Sequence, residues 1–152
     1  MNNKVVDQYL NNFSLINLRG MEAFVQKQLK LLSPALVAIT TDYRGTLTEH
    51  GIDGYFRGLE EWSRHFESNH QSPKEFLEDT PTHVLVRVFN RLGLVVPVNC
   101  RTVSEPDEHE WTEEFEVGPD GLITKVHVSV LLKERQPQLA IVGSSLFGNR
   151  PR

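Results

Sequence analysis

Cysteine is nearly absent from this sequence: Cys100 is the single thiol among 152 residues. One thiol excludes an intrachain disulfide and leaves no cysteine-based metal site. Basic residues are also few, because 16 Lys and Arg stand against 20 Asp and Glu and give a net charge of -4. Proteins that bind nucleic acid through its phosphates carry a basic face, so nucleic acid is not an expected partner.

The sequence also has no long apolar run. None of its stretches approaches the roughly 18 apolar residues of a transmembrane helix. Residues 1–16 mix Lys4, Asp7 and four asparagines with apolar residues, whereas a signal peptide needs an uninterrupted apolar core. We therefore expect no membrane association and a cytoplasmic location. With 39% hydrophobic and 24% charged residues, the composition is that of one globular domain.

The N-terminal part has the spacing of amphipathic helices. Apolar residues recur with the helical period over residues 3–19 and 21–32, with Gly20 between the two segments. A third helix is predicted from Leu59 to about Asn69, with Leu59, Trp62 and Phe66 on one face. Between these helices we predict a β-branched strand at 36–41, a turn from Asp42 to Gly45 and an irregular, glycine-rich loop over 45–58.

From Ser72 onward the apolar pattern changes to a period of two, which indicates strands. The predicted strands are 75–79, 82–90, 94–104, 109–117 and 122–133, connected at 80–81, 91–93, 105–108 and 118–121. These connections have hairpin length, so neighbouring strands should be antiparallel. Helices followed by a meander of strands make an α+β pattern. We expect one domain over 1–133 and an extension, 134–152, that packs on the domain or on a dimer partner.

Three segments carry a family resemblance: Val5–Leu10, Arg57–Trp62 with its glycine, and the hairpin Phe115–Ile123. In this order they resemble ketosteroid isomerases and SnoaL-like polyketide cyclases, members of the nuclear-transport-factor-2-like superfamily, over about residues 4–133. The resemblance implies a cone-shaped barrel, with three N-terminal helices packed on a curved, mainly antiparallel sheet around one pocket. It also implies a homodimer through the outer sheet face. The fold hosts isomerases, cyclases, dehydratases and noncatalytic binders.

The resemblance also suggests catalytic positions. The helix-one tyrosine of the isomerases corresponds to Tyr9, their strand-end aspartate to Asp42, and their late-strand acid to Glu113. Tyr9 shares a helical face with Val5 and Phe13, so its buried hydroxyl needs a partner, either a ligand or a core group. Asp42 also suits the first position of a type I turn, so both roles stay open.

Glu113 is the anomalous residue of strand 109–117. Alternation places it on the apolar face with His109, Trp111, Phe115 and Val117. A carboxylate there is costly unless it is paired or protonated, and burial raises its pKa toward the range useful for proton transfer. Either Glu113 is a buried acid or base, or it bonds Tyr9, His109 or an arginine in a buried polar network.

The histidines suggest no metal site, since none forms a His-Glu-x-x-His run, and no cofactor is expected. His50 could overhang the pocket mouth as an acid or base, or be an exposed loop residue. His127 alternates with inward-facing valines and is expected on the outer face, at the dimer interface. The predicted pocket lining consists of Phe13, Trp62, Phe66, His109, Trp111, Phe115, Val126 and Val128.

Two functions follow. The first is a cofactor-independent isomerase, cyclase or dehydratase acting on a small apolar carbonyl compound. Glu113 would be the buried acid or base, Tyr9 a donor to the developing oxyanion, and Asp42 or His50 the partner base. The alternative is a noncatalytic member that binds a small apolar ligand or acts as a dimeric interaction module.

Overall fold

The computed structural model describes residues 3–41, 45–64, 66–98 and 101–130, without the side chains of 17, 66–74, 89–98, 101–109 and 130. Its helices are α1 (Lys4–Asn12), α2 (Leu15–Arg19), α3 (Met21–Leu29) and α4 (Ile52–Ser63). Its strands are β1 (Leu32–Thr41), β2 (Leu47–His50), β3 (Phe66–Asp79), β4 (His83–Val98), β5 (Arg101–Val117) and β6 (Ile123–Val130). None of these helices has the length and apolar character needed to cross a bilayer. Asp42 and the extension predicted at 134–152 lie outside the described residues.

The helix predicted over 3–19 is two segments, so the described chain has four helices where three were predicted. The Asn3 side chain caps α1 by accepting from the amides of Val5 and Val6. After α1, the Ser14 hydroxyl donates to the Asn11 carbonyl, a local bond that competes with continuation of the helix. Gly20 separates α2 from α3 as predicted, and its positive φ of 91° is a conformation that favours glycine.

The loop and third helix predicted over 45–69 are wrong in their bounds. Residues 47–50 form β2, α4 already begins at Ile52, and residues from Phe66 onward belong to β3. Two of the four glycines that suggested a loop lie inside α4, where Gly54 packs closely on His50 and Gly58 is buried. Tertiary packing therefore outweighs the low helix propensity of glycine in this segment.

The six strands form one mixed sheet in the order β2-β1-β6-β5-β4-β3. Strands β1 and β6 are parallel, and the other neighbours are antiparallel. The connections predicted at 91–93 and 105–108 are wrong, because Gly93 pairs with Pro106 inside one long β4–β5 ladder. Glycine and proline are typical of turns, so these two paired segments were each predicted as a turn although both are strand.

The helices cover one face of the sheet, which we call the inner face. Side chains from α1, α3 and α4 share a single buried core with this face of β1, β4, β5 and β6. The Tyr9 ring of α1 lies 5.0 Å from the Phe115 ring, and the Trp62 ring of α4 lies 6.1 Å from the Trp111 ring. An α+β architecture with the helices on one face is therefore confirmed.

Candidate functional site

Glu113 lies on the inner face, as its strand pattern predicts. In β5 the side chains of Trp111, Glu113 and Phe115 are buried, while those between them are half-buried or exposed. Glu113 is only 2% exposed. Its register partners, Val86 on β4 and Val128 on β6, are also buried, so apolar side chains flank Glu113 on both neighbouring strands.

The carboxyl group of Glu113 is not neutralised by a described basic residue. Its Oε2 atom is buried and has no hydrogen-bond partner among the described residues. Burial raises the pKa of Glu113 to about 8, because an apolar environment disfavours the charged form. Near neutral pH the group is therefore mostly protonated, with a minor ionised fraction, which suits a proton donor or acceptor.

A chain of buried hydrogen bonds leads to Tyr9. Asn12 Nδ2 donates to Gln28 Oε1 over 2.8 Å, Gln28 Nε2 donates to the Tyr55 hydroxyl over 3.4 Å, and Tyr55 donates to the Tyr9 hydroxyl over 2.6 Å. The ring of Tyr9 is buried as predicted, and its hydroxyl has a core partner. Because Tyr9 accepts from Tyr55, its own proton remains to be donated.

Glu113 is electrostatically coupled to both tyrosines. Burial raises the pKa of Tyr9 well above its ordinary value, and the nearby charges of Tyr55 and Glu113 raise it further. Burial also raises the pKa of Tyr55, and Glu113 adds to this shift. Both phenols are therefore neutral donors at physiological pH, located close to an acid that is itself mostly neutral.

Tyr55, Gln28 and Asn12 were not predicted from the sequence. Tyr55, Leu59 and Trp62 recur with the helical period, but a loop was predicted where α4 begins. Gln28 and Asn12 are polar residues on the buried faces of their helices, a signal that could have indicated the network.

His50 is the last residue of β2, not a loop residue, and it is half-buried. Its ring packs on the first turn of α4, where a Cβ at Gly54 would lie 2.8 Å from the His50 Cβ and 2.9 Å from Nδ1. Its Nε2 atom is buried and has no hydrogen-bond partner in the described part of the chain. The loop predicted around His50 is thus wrong.

Other buried polar atoms lie on the same side of the sheet as Glu113. Thr40 Oγ1 on β1 and Trp111 Nε1 on β5 are both buried without a hydrogen-bond partner among the described residues. Thr40 and Trp111 are 2% and 1% exposed. Such groups usually bond protein or water, so unpartnered atoms on one inner face are compatible with a polar ligand or ordered water there.

Most of the predicted pocket lining lies in the core. The buried members are Phe13, Trp62, Trp111, Phe115, Val126 and Val128. Phe66 and His109 belong to β3 and β5, but their side chains lie outside the described part. His127 lies outside the buried core and its Nε2 is 2.8 Å from the Thr41 hydroxyl, as expected for the outer face.

A separate groove of about 450 Å³ lies between α2 and α3, away from Glu113. Its lining consists of Leu15, Arg19, Ala23, Gln26, Lys27 and Lys30. None of these residues belongs to the inner face or to the Tyr9 network. Among the described side chains, no cluster of three His, Cys, Asp or Glu could hold a metal ion.

Comparisons with known proteins bear on the fold. No family model and no curated protein matches the sequence. Solved structures do match: a candidate SnoaL-like polyketide cyclase from Jannaschia sp. aligns with a TM-score of 0.63 at 12% identity, over 95% of this chain and 92% of its own. The chain has the nuclear-transport-factor-2-like fold. An NTF2-like protein from Anabaena variabilis aligns with a TM-score of 0.64 at 15% identity, over 86% of this chain and 89% of its own.

A third protein with this fold is AclR, a candidate hydroxylase from Streptomyces galilaeus. It aligns with a TM-score of 0.65 at 13% identity, over 90% of this chain and 96% of its own. Proteins of the nuclear-transport-factor-2-like fold thus carry different named activities at similar structural likeness. The shared fold therefore leaves the chemistry of this chain to its own residues.

Proposed function

We propose that this protein binds a small apolar carbonyl compound in a cone-shaped barrel, between the inner face and the helices, and that Glu113 transfers a proton to or from it. The observation that carries this proposal is the buried Glu113 carboxyl, whose Oε2 has no described partner and whose pKa is raised to about 8. A carboxyl with a purely structural role would be more stable with a basic partner or in contact with water. A carboxyl kept neutral by burial can protonate a substrate, and its ionised fraction can remove a proton.

The Tyr9 hydroxyl is the proposed donor to the developing oxyanion. Gln28 and Tyr55 donate along the chain that ends at Tyr9, so the remaining Tyr9 proton can bond a ligand oxygen. Fixed donors in a water-poor site stabilise negative charge strongly, because they need no reorganisation during the reaction. Proton transfer between Glu113 and a carbon next to the carbonyl, with Tyr9 on the oxygen, is an isomerase, cyclase or dehydratase step without a cofactor.

The partner base is proposed to be His50 or Asp42. The imidazole of His50 has a buried, unpartnered Nε2 on the inner side. Asp42 follows the last residue of β1 and is proposed either for this role or for the turn that it was predicted to form. Two of the fold neighbours are candidate polyketide cyclases, which supports a cyclase among the proposed reactions.

A noncatalytic role is the second candidate, favoured by the bulk of the inner side chains. Trp62, Trp111 and Phe115 are at most 1% exposed and occupy much of the space between helices and sheet. A protein of this kind would bind an apolar ligand without turnover, or act as a dimeric module through the outer sheet face. In the first case Glu113 would contribute to ligand specificity, and in neither case would it carry a proton.

Hydrogen–deuterium exchange separates the two candidates without knowledge of the natural substrate. We would incubate 2-tetralone, a two-ring ketone with acidic protons beside its carbonyl, with the protein in D₂O and follow those protons by NMR. The proposal predicts exchange above the buffer rate that is lost in Glu113→Gln and lowered in Tyr9→Phe. The matched control is Glu116→Gln, an exposed glutamate of the same strand, which should retain exchange.

Binding of 2-tetralone is measured in parallel by ligand-observed NMR. Binding by both the wild type and Glu113→Gln with no exchange above buffer contradicts catalysis and supports the binder. Unchanged exchange in Glu113→Gln contradicts the role of Glu113. Absence of binding by the wild type contradicts both small-molecule functions and supports the interaction module.

A further inference from the structure

Thr40 and His50 are neighbours on two paired strands. In the β1–β2 ladder Thr40 pairs with Thr48, and His50 pairs with Ala38. Thr40 and His50 are therefore diagonal neighbours on the same face of the sheet, about 7–8 Å apart at their Cα atoms. This face is the inner one, because Ala38 and Thr40 are 0% and 2% exposed.

Each of the two side chains presents a hydrogen-bonding atom that the described protein does not satisfy. Thr40 Oγ1 and His50 Nε2 are both buried without a partner. A buried polar group normally finds a partner, so two unpartnered atoms at adjacent positions indicate a place for an external polar group. The imidazole of His50 packs closely on Gly54 of α4, because a Cβ built there would lie 2.9 Å from Nδ1 and 3.0 Å from Cγ.

The position of Thr40 relates this pair to Glu113. Thr40 pairs with Val128, and Val128 pairs with Glu113, so the three residues form one row across β1, β6 and β5. Two strand spacings separate the Cα atoms of Thr40 and Glu113 by about 10 Å. The inner face between Thr40 and Glu113 is apolar, because the residue there is Val128, which is 3% exposed.

We propose that Thr40 and His50 form a second polar subsite that binds a hydroxyl group of the ligand. This inference rests on the proposed function, since it places the reacting carbonyl at Glu113 and the hydroxyl at the other end of the same row. The ligand class is then an apolar compound with a carbonyl at one end, a hydroxyl at the other and a hydrocarbon middle over Val128. Thr40 was not singled out in the sequence, because a threonine in a β-branched strand is ordinary.

A hydroxyl fits this pair better than a carbonyl or a carboxylate. The Thr40 hydroxyl both donates and accepts, whereas His50 Nε2 does one or the other according to its tautomer. A ligand hydroxyl can accept from one group and donate to the other in either case. A ligand carbonyl can only accept, so it would satisfy the pair in one tautomer alone.

The test compares two ligands that differ by one hydroxyl, 2-tetralone and 6-hydroxy-2-tetralone. Their dissociation constants are measured by NMR titration for the wild type, Thr40→Val and Thr112→Val. Valine keeps the shape of threonine, and Thr112 lies on the other face of β5, which makes it the matched control. We expect the hydroxyl to strengthen wild-type binding about tenfold, the size of one good hydrogen bond. Thr40→Val should lose this gain, and Thr112→Val should keep it.

A wild-type protein with no preference for the hydroxyl ligand overturns the subsite, including the case in which ordered water occupies it. A preference that persists in Thr40→Val overturns it as well. Either result leaves the proton exchange of 2-tetralone and its dependence on Glu113 as separate evidence for the proposed function.

Two further outcomes separate the subsite from catalysis. A preference that is lost in Thr40→Val, without any proton exchange, supports the subsite and overturns catalysis. If neither ligand binds, both the subsite and the proposed function are overturned. The melting temperature of Thr40→Val, expected at or above that of Thr112→Val, shows that the variant folds.

Discussion

The Tyr55 hydroxyl on α4 donates to the Tyr9 hydroxyl on α1 over 2.6 Å, and both side chains are at most 1% exposed. This bond joins two residues that are 46 positions apart in the chain and lie on different helices. Gln28 of α3 donates both to the Tyr55 hydroxyl and to the Tyr9 carbonyl, at 3.4 Å in each case. Three helices are therefore connected by one buried polar network next to Glu113.

Tyr55→Phe should destabilise the protein by about 1–3 kcal/mol, because it leaves buried polar groups of Gln28 and Tyr9 without this partner. Urea unfolding measures the change. Tyr9→Phe should have an effect of similar size, and the double variant should cost less than the sum, since both changes remove the same bond. Additive effects would show that the two hydroxyls do not interact in solution.

Glu113→Gln should change how stability depends on pH. The folded pKa of Glu113 is raised to about 8 from an ordinary value of 4.5, so between these values the folded state holds a proton that the unfolded state has lost. The stabilisation is complete below the unfolded pKa and is lost as pH rises through the folded pKa. In this window the ionisation of Glu113 should lower the free energy of unfolding of the wild type by up to about 1.4 kcal/mol per pH unit.

Glutamine cannot ionise, so the free energy of unfolding of Glu113→Gln should rise relative to that of the wild type as pH increases from about 4.5 to 8. Thermal unfolding at several pH values measures this difference. Glu116→Gln, on the exposed face of the same strand, should show no such trend. A difference that stays constant with pH would mean that Glu113 ionises normally in the folded protein.

Gly54→Ala should destabilise the protein although alanine is the better helix former. The helix gains about 1 kcal/mol in propensity. The new methyl group would lie 2.8 Å from the His50 Cβ, near the backbone of β2, where the side chain cannot swing away. The His50 ring signals in NMR should shift. The control is Gly51→Ala, where a Cβ meets no atom within 4 Å, and its His50 signals should stay in place.

His83→Gln should destabilise the protein more at acidic than at alkaline pH. His83 Nε2 lies 2.7 Å from Glu114 and Nδ1 lies 2.9 Å from Glu78, and the hydrogen bond with Glu114 is the main cause that raises its pKa. This stabilisation is present below the unfolded pKa of about 6.5 and is lost as pH rises through the raised folded value. Thermal unfolding of the wild type and of His83→Gln, near pH 6 and near pH 9, measures this difference in stability.

His127→Gln is the control for this prediction. Burial lowers the pKa of His127, so acidification below the unfolded pKa should reduce the contribution of this histidine to stability. The two histidines should therefore show opposite trends with pH. Equal trends would mean that the carboxylates around His83 do not hold its proton.

The errors made from the sequence have local causes. The turns predicted at 91–93 and 105–108 contain glycine and proline, but Gly93 and Pro106 face each other in the ladder, which no local pattern reveals. The helix that begins at Ile52 was missed because Gly54 and Gly58 lower helix propensity. Gly54 packs closely on His50 and Gly58 is buried, and these reasons for glycine exist only in the folded state.

By itself, the sequence determined the α+β order, the inner position of Glu113 and the outer position of His127. Each follows from a period of two or of 3.6 residues, which local backbone geometry imposes on the chain. Only the tertiary structure decided that Tyr55 and Gln28 support Tyr9, and that Thr40 lies beside His50 and in register with Glu113. These relations depend on strand register and on helix placement between distant segments, which a local pattern does not encode.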